Sequence, residues 1–301
     1  MEVKNIKKDI KTKVREIDFN SLKIGNDSSI PFMKENENKT KPLFALEIPY
    51  FTDKSYPQIL KDYWGENNIS FFNLFKKAQN TGCDLICIHI EVQENKIETE
   101  LSQIILNLKM ILKDNQKPII IKGSDSKNTN KLLLSEIAKE IDSQLIIAYA
   151  EESNYENIIP NTIKNNHILA LRSPIDINLA KELNILSSDC GLDSNRILID
   201  PEMGALGYGL DYAYSIIEKI KQAGFDGDTM LNMPIITFVG EETFKAKEAK
   251  SSNFNENWGE YEQRAIMWEI STASAVISAG ANIVVLYHPE SIKTLKEILW
   301  N

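Results

Sequence analysis

Eight short runs of apolar residues recur along the chain, separated by longer stretches in which apolar residues have a helical period. The runs are rich in isoleucine and valine and almost continuous in apolar residues, which is typical of parallel strands buried on both faces. They lie at 43–51, 83–91, 117–123, 144–152, 167–174, 196–201, 234–242 and 282–290. Eight strands alternating with helices predict an α/β fold, namely a (β/α)8 TIM barrel. A doubly wound sheet with an edge extension is the alternative.

The segments between the runs carry apolar residues at three- and four-residue steps, and several end in glycine, the preferred helix stop. Only the segment at 154–166 is weak, and Pro160 in it is expected near a helix start. Residues 1–42 are lysine-rich and then turn-rich, so they fall outside the alternating pattern. We therefore expect an N-terminal extension at 1–42, with a hairpin closing the barrel floor, and a barrel at 43–301.

Composition narrows the class of protein. The chain has 301 residues, 43% hydrophobic and 26% charged, which is enough to bury a full core. Its net charge of −9 argues against binding to nucleic acid or to an anionic membrane surface. No apolar run approaches the ~20 residues that cross a bilayer, and the charged start lacks a signal-peptide core. A cytoplasmic protein is expected.

The barrel interpretation places functional residues at the carboxyl ends of the strands. Polar residues resume at strand ends in any case, so each one taken alone is more often solvated than functional. The strand ends carry Glu91, Lys122, Glu151, Glu152, Arg172, Asp200, Glu241, Glu242 and His288.

The segment that follows Asp200 differs from the other strand ends. Gly204, Gly207 and Gly209 allow positive φ angles and close approach of a bulky ligand. A helix is expected to start just beyond Gly209, and its free backbone N–H groups would face the same space. We call residues 201–209 the glycine loop and favour a ligand loop over a plain turn.

Other known constellations do not fit. The glycine loop lacks the closing Gly-Lys-Ser/Thr of a phosphate-binding P-loop. His167 and His288 are expected at opposite ends of the barrel, and His89 is most simply a core or lumen residue, so a three-histidine metal site is not expected. The three cysteines, Cys83, Cys87 and Cys190, do not have the spacing of an iron–sulfur or zinc site.

Long motifs nevertheless resemble a known family. The sequences RSPIDIN (172–178), IDPEMGALGYG (199–209) and MLNMPIITFVGEE (230–242) closely resemble the small (delta) subunit of the corrinoid/iron–sulfur protein of the acetyl-CoA synthase/decarbonylase system. ALEIPYF at the first strand, AEESNYENI after the fourth and AGANIVVLYHPES at the last extend the resemblance over nearly the whole chain from about Phe44. The first 42 residues match least.

The resemblance implies a TIM barrel that forms a heterodimer with a large (gamma) subunit. The large subunit would carry the iron–sulfur cluster and most of the corrinoid-binding domain, with the cobalamin-type corrinoid at the interface. A separate methyltransferase would load a methyl group from methyltetrahydrofolate onto the cobalt, and acetyl-CoA synthase would remove it, as in the reductive acetyl-CoA pathway. The chain itself would be a non-catalytic subunit that shields and positions the cofactor.

On this basis the corrinoid would meet the glycine loop through Gly204, Gly207 and Gly209, with Asp200 and Tyr208 offering polar or stacking contacts at its rim. Glu151, Arg172 and Asp176 would help to build the same mouth. Arg172 could pair with either Asp200 or Glu151 and so only fix the loops. No catalytic or metal-ligating residue is assigned.

Two other functions remain open. Pterin-binding barrels, such as dihydropteroate synthase and methyltetrahydrofolate methyltransferases, also place Asp-Pro and glycines after a strand, so this chain could transfer the methyl group itself. It could also be a purely structural subunit with no ligand contact. Visible corrinoid absorption of the chain with and without a large subunit would separate these functions.

Overall fold

A computed structural model describes residues 10–31, 40–51, 56–65 and 70–300 of the protein. Residues 1–9 and 32–39 of the predicted N-terminal extension lie outside the described residues. A hairpin of β1 (Glu16–Phe19) and β2 (Leu22–Gly25) precedes the other strands. These are β3 (Leu43–Pro49), β4 (Leu85–His89), β5 (Ile119–Lys122), β6 (Ile146–Ala150), β7 (Ile168–Arg172), β8 (Ile197–Asp200), β9 (Ile236–Phe238) and β10 (Ile283–Leu286).

The eight strands β3 to β10 are parallel and form a nearly closed barrel. Each strand from β3 to β8 pairs with its successor, and β10 lies between β9 and β3. The remaining gap is spanned by a parallel bridge from Ile199 in β8 to Ile235, the residue before β9. The predicted TIM barrel is confirmed, and the alternative of an open doubly wound sheet is wrong.

Helices cover the outside of the barrel. They are α1 (Gln58–Trp64), α2 (Phe71–Gln79), α3 (Ile97–Lys113), α4 (Lys127–Glu140), α5 (Tyr155–Lys164), α6 (Ile177–Asp189), α7 (Leu210–Phe225), α8 (Val239–Thr243), α9 (Lys247–Lys250), α10 (Tyr261–Ala279) and α11 (Pro289–Trp300). None of the described helices is both long enough and apolar enough to cross a membrane.

One expectation about the helices is wrong. Pro160 lies inside α5 and not near its start. Proline is unfavourable in a helix interior, but Ile158, Ile159 and Thr162 of this helix are buried, and the helix packs closely against α4. Tertiary packing therefore overrides the local preference of the residue.

The alternation of side chains along each strand divides the core into two layers. One set of residues packs outward against the helices. The other set points into the barrel and fills its lower lumen with apolar side chains, including Cys87, Ile120, Ala170 and Leu198. A register shift between Ala148 and Ala150 accompanies the entry of Tyr149 into this inner layer.

The hairpin closes the amino end of the barrel, as the sequence predicted. Ile17, Phe19 and Ile24 join the lumen layer and are almost inaccessible to solvent. Asp27, just after β2, forms a buried ion pair with Lys221 of α7, with 2.8 Å between the oxygen and Nζ. Asn282 lies beside the same pair and donates to Asp27 at 2.5 Å. The opposite, carboxyl end of the strands is the end at which TIM barrels carry their functional sites.

Candidate functional site

Charged side chains replace apolar ones in the upper lumen. Glu47 in β3, His89 in β4 and Lys122 in β5 occupy the same inward-facing positions as the apolar residues two places before them. Arg172 and Asp200 do the same in β7 and β8, where they are register partners. The barrel therefore carries an apolar lower lumen and a layer of charge beneath its mouth.

Lys122 stands at the centre of this charged layer and is fully buried. Its Nζ lies 3.0 Å from a Glu47 oxygen and 2.8 Å from a Glu241 oxygen. Burial alone would lower the pKa of Lys122, but the two carboxylates outweigh burial and raise it. Conversely, burial would raise the pKa of Glu241, but Lys122, Arg172 and Lys245 hold it well below its usual range. All three side chains are therefore charged, and Lys122 bridges the two carboxylates.

Arg172 forms the second buried pair of the lumen. Its Nε donates to Asp200 Oδ2 at 2.6 Å, and its guanidinium lies over the ring of Tyr149. Of the two partners left open by the sequence, the structure selects Asp200. The other Asp200 oxygen accepts the backbone N–H of Glu202 at 3.0 Å, so the pair also anchors the start of the glycine loop.

The glycine loop lies at the carboxyl end of the barrel and leads into α7, as predicted. Gly207 and Gly209 have φ angles of +76° and +77°, which favour glycine. Gly204 has another role: a Cβ there would collide with the carbonyl oxygen of Tyr208, so this glycine allows the loop to fold on itself. Two of the three glycines thus meet the conformational prediction, and the third serves the internal packing of the loop.

One side of the glycine loop is bonded to α10, and the other side is exposed to solvent. Trp268 of α10 donates its indole N–H to the Leu206 carbonyl at 2.9 Å. Tyr208 is 67% exposed and Tyr212, in the first turn of α7, is 63% exposed. Depressions of about 340 and 550 Å³ adjoin the loop, one bordered by Gly207 and Lys245 and the other by residues 206–211. The loop and the first turn of α7 therefore present two large aromatic side chains to solvent, and Trp268 supports the loop.

The remaining predicted site residues are spread around the same face. Glu151 is buried just after β6, and its carboxylate lies 3.2 Å from Lys127 rather than near Arg172. Asp176 caps α6 and accepts the backbone N–H groups of Asn178 and Leu179. Asp200 is 1% exposed, so it lies beneath the rim and not on it. The structure brings Arg172 and Asp200 together, whereas Glu151 and Asp176 hold separate loops.

A second opening, which we call the mouth cleft, lies on the β3–β5 side of the barrel. Its volume is about 460 Å³. Its polar lining includes His89, Glu91, Asp125 and Lys245. Its aromatic lining is formed by Phe51, Tyr56, Phe244, Tyr261 and Tyr287. Lys245 also borders the depression beside Gly207, so it separates the mouth cleft from the glycine loop.

Sequence reasoning missed the role of the charged layer. Glu47 was not among the strand-end residues because it lies inside an apolar run. Its isolation was the available signal: a lone carboxylate at an inward position needs a buried partner. Lys122 and Glu241 were considered only singly, since their pairing becomes visible only when the barrel closes.

Fold and site together define a TIM-barrel protein whose upper lumen holds buried ion pairs and whose open surfaces lie at the carboxyl ends of its strands. Solved structures with this fold include dihydropteroate synthases. The enzyme from Yersinia pestis in complex with a sulfonamide drug has a TM-score of 0.61 and 12% identity, covering 95% of this chain and 97% of that one. The enzyme from Coxiella burnetii in complex with pteroic acid has a TM-score of 0.59 and 13% identity, covering 86% and 92%. At these identities the likeness establishes the fold alone.

Sequence relatives are more informative. The acetyl-CoA decarbonylase/synthase complex subunit delta of Methanocaldococcus jannaschii is 31% identical over 281 residues, covering 92% of this chain and 68% of the relative. Subunit delta 1 of Methanosarcina thermophila is 27% identical over 295 residues, covering 91% and 65%. The chain thus spans about two thirds of the length of these relatives.

The model of the CO dehydrogenase/acetyl-CoA synthase delta subunit family matches residues 17–300. The chain therefore belongs to this family, in agreement with the resemblance carried by its motifs. The match includes the hairpin, the barrel and the glycine loop.

Proposed function

We propose that the chain is the small subunit of a heterodimeric corrinoid/iron–sulfur protein, in which it helps to bind and shield the corrinoid. The corrinoid would carry a methyl group from methyltetrahydrofolate to acetyl-CoA synthase in the reductive acetyl-CoA pathway. Its partners would be a large (gamma) subunit, a methyltetrahydrofolate methyltransferase and acetyl-CoA synthase. Membership of the delta-subunit family supports this proposal, as do relatives named as subunits of the acetyl-CoA decarbonylase/synthase complex.

The observation that carries the proposal is the open glycine loop on a rigid base. A wide, flat macrocycle needs a surface that its edge or face can approach without collision. A Cβ at Gly207 would have only Trp268 within 4 Å, at 3.5 Å, so the backbone here borders open space. Tyr208 offers a stacking surface at the same place, and α7 begins directly after Gly209, where the first N–H groups of a helix lack intrahelical partners. These features fit a corrinoid.

The methyl-transfer chemistry would belong to the corrinoid, whose cobalt carries the methyl group. The residues of this chain would provide shape and protection. Gly207, Tyr208 and Gly209 would contact the cofactor directly, whereas Arg172 and Asp200 would hold the loop from beneath. An iron–sulfur cluster would belong to the large subunit, because Cys83 and Cys87 are buried here and Cys190 is exposed far along the chain.

Methyl transfer by the chain alone is the weaker proposal. Pterin recognition needs polar groups free to bond the ligand, whereas Arg172 and Asp200 are satisfied by each other beneath the loop. Lys122 likewise pairs with both Glu47 and Glu241. The lumen beneath the glycine loop thus contributes few free polar groups.

Replacement of Gly207 by valine tests the role of the loop. Valine disfavours positive φ and would place a branched side chain on the open surface, at a cost of about 1–3 kcal/mol in backbone strain. We expect the variant heterodimer to fold and to retain less corrinoid per dimer. Visible absorption and the melting temperature would be measured on the same preparation.

The matched control is Gly191→Val. Gly191 also has a positive φ, +91°, and a Cβ added there would meet its nearest atom, in Ile163, at 3.8 Å, so a side chain has similar room. Gly191 lies after α6, at the opposite end of the barrel. The control should lower the melting temperature and leave the corrinoid content unchanged. If both variants keep the full corrinoid-to-protein ratio, the glycine loop is only a turn and the proposal fails.

A further inference from the structure

Three potential metal ligands converge at the edge of the mouth cleft. They are His89 at the end of β4, Glu91 two residues later, and Asp125 in the loop after β5. One ligand atom from each lies within 4.8 Å of the other two. This cluster lies apart from the glycine loop, and the proposed corrinoid function does not use it.

His89 is oriented as metal-binding histidines commonly are. Its Nδ1 lies 3.2 Å from a Glu47 oxygen, which is itself held by Lys122. A carboxylate behind one ring nitrogen fixes the tautomer and leaves the other nitrogen available to a metal. The second nitrogen, Nε2, points toward Glu91 at 3.8 Å, too far for a hydrogen bond. It is shielded from solvent and has no hydrogen-bond partner among the described residues.

Glu91 is also positioned in advance. One of its oxygens accepts the Ser124 hydroxyl at 2.7 Å, and the other accepts the backbone N–H of Asp125 at 2.8 Å. These bonds hold the carboxylate in the loop that also carries Asp125. Hydrogen bonds from neighbouring groups thus orient the ligands, as outer-shell hydrogen bonds do in known metal sites.

The charge of the cluster is not balanced. In the described part of the chain, neither Glu91 nor Asp125 forms an ion pair with a lysine or arginine. Lys127, the nearest basic residue in sequence, pairs instead with Glu151. Lys245 also lines the cleft but pairs with Glu241 and Glu242. The two carboxylates thus lie beside an imidazole nitrogen without a hydrogen bond, and neither is ion-paired with a lysine or arginine of the described chain.

We propose that His89, Glu91 and Asp125 form a binding site for a divalent transition-metal ion such as Zn²⁺ or Mn²⁺. One nitrogen and two carboxylate oxygens suit such ions better than Mg²⁺ or Ca²⁺, which prefer oxygen ligands alone. With ligands at about 2.1 Å, the donor atoms must be roughly 3–3.5 Å apart. His89 Nε2 and the nearest Glu91 oxygen are 3.8 Å apart, and all three ligand atoms lie within 4.8 Å, so side-chain shifts of about 1 Å would bring them to these distances.

Three protein ligands leave a coordination position open toward the cleft. Metal sites of this kind accept a water molecule or an oxygen of a ligand at the free position. The metal would therefore bind a small, oxygen-bearing molecule in the cleft. This site belongs to the isolated chain and does not depend on corrinoid binding.

A structural alternative makes a different prediction. Burial and Lys122 would lower the pKa of His89, but its hydrogen bonds to Glu47 and Glu91 raise it. A protonated His89 bridging two carboxylates would satisfy the site without metal. In that case the chain would not bind a divalent ion at this cluster.

The test uses the full-length chain, stripped of metal with a chelator, in a Cys190→Ser background that removes the exposed thiol. Calorimetric titration with Zn²⁺ should show one site per chain. Asp125→Asn removes a ligand at an exposed position without a change in shape, so it should weaken binding by about tenfold or more. Titration with Co²⁺ should give a visible absorption band that the same substitution diminishes.

The matched control is Asp114→Asn, which removes an equally exposed carboxylate after α3, away from the cluster. It should bind Zn²⁺ like the parent chain. Equal affinity of the parent chain and Asp125→Asn, or the absence of stoichiometric binding by the parent chain, would overturn the proposal. Because the readout involves no corrinoid, this outcome is distinct from failure of the proposed function.

Discussion

Each charged residue in the upper lumen needs an oppositely charged partner, because burial has removed it from water. Arg172 and Asp200 show this most clearly. Burial alone would lower the pKa of Arg172, but Asp200 and Tyr149 outweigh burial and raise it, so the guanidinium stays charged. Removal of one partner would leave the other buried without compensation, which costs far more than the intact pair contributes.

Arg172→Met should therefore lower the free energy of unfolding by about 3–5 kcal/mol, measured by urea denaturation. The double variant Arg172→Met/Asp200→Leu should recover most of this loss, since no uncompensated charge remains. Lys181→Met is the control. Lys181 pairs with Asp228 at 2.7 Å but is largely exposed, so its loss should cost at most about 1 kcal/mol. A double variant no more stable than Arg172→Met would contradict this account.

At the scale of elements, one buried carboxylate joins α10 to the segment between β10 and the last helix, α11. Glu269 lies in α10, and its oxygens accept the backbone N–H groups of Tyr287 and His288, immediately before α11. Burial raises the pKa of Glu269 to about 7, although these hydrogen bonds oppose the shift. The folded state therefore retains a proton that the unfolded chain releases at lower pH.

Glu269→Gln should reveal this retained proton. A folded pKa above the unfolded value means that the contribution to stability is present at low pH and lost as the pH rises to about 7. Relative to the variant, the parent protein should lose up to about 1.4 kcal/mol per pH unit between the ordinary glutamate pKa and about 7, then remain level. Unfolding free energies from pH 4.5 to 8 measure the effect. Glu182→Gln, on the exposed face of α6, should follow the parent at every pH, and a parallel course for both variants would refute the assignment.

The hairpin acts as the floor of the barrel, because its apolar side chains fill the lumen from the amino end. Phe19 is completely buried among the inner-layer residues. Phe19→Ala would leave a cavity that the surrounding strands cannot close, at a cost of about 3–5 kcal/mol. Thermal or urea unfolding should show this loss, whereas Phe72→Ala, at an exposed position of α2, should change stability by no more than about 0.5 kcal/mol. A small effect at Phe19 would mean that the hairpin is only loosely attached.

At the scale of the whole molecule, the two ends of the barrel differ in how accessible they are. The amino end is closed by the hairpin, and the lower lumen is packed. The carboxyl end carries the glycine loop, its exposed tyrosines and the mouth cleft. Association with a large subunit would therefore use the carboxyl face, where exposed aromatic side chains can serve as anchors.

We expect a stable heterodimer that buries at least ~2,000 Å² in total, as permanent complexes commonly do. Tyr212→Asp should weaken association with the cognate large subunit by more than about tenfold, because it places a charge among exposed aromatic groups. Sedimentation of the mixed subunits measures this. Leu106→Asp, at an equally exposed position on α3, is the control and should associate normally. Failure of the parent chain to bind the large subunit, or equal effects of both substitutions, would show that the partner or the face is wrong.

The sequence alone determined the succession of elements, because the signals for strands and helices are local. Apolar runs marked all eight barrel strands, and glycines with a following helical pattern marked the loop after β8. Parallel strands place their carboxyl ends together, so the face that bears the glycine loop also followed from the chain order. The hairpin was expected from the same kind of local reasoning.

Only the tertiary structure decided which residues meet. Whether Arg172 pairs with Asp200 or Glu151 depends on strand register, which places Arg172 beside Asp200. Glu151 forms its ion pair with Lys127 instead. The charged centre joins Glu47, Lys122 and Glu241 from three distant segments. Such contacts cannot be deduced from local sequence patterns, because they are created by barrel closure, and their energies depend on the burial that closure produces.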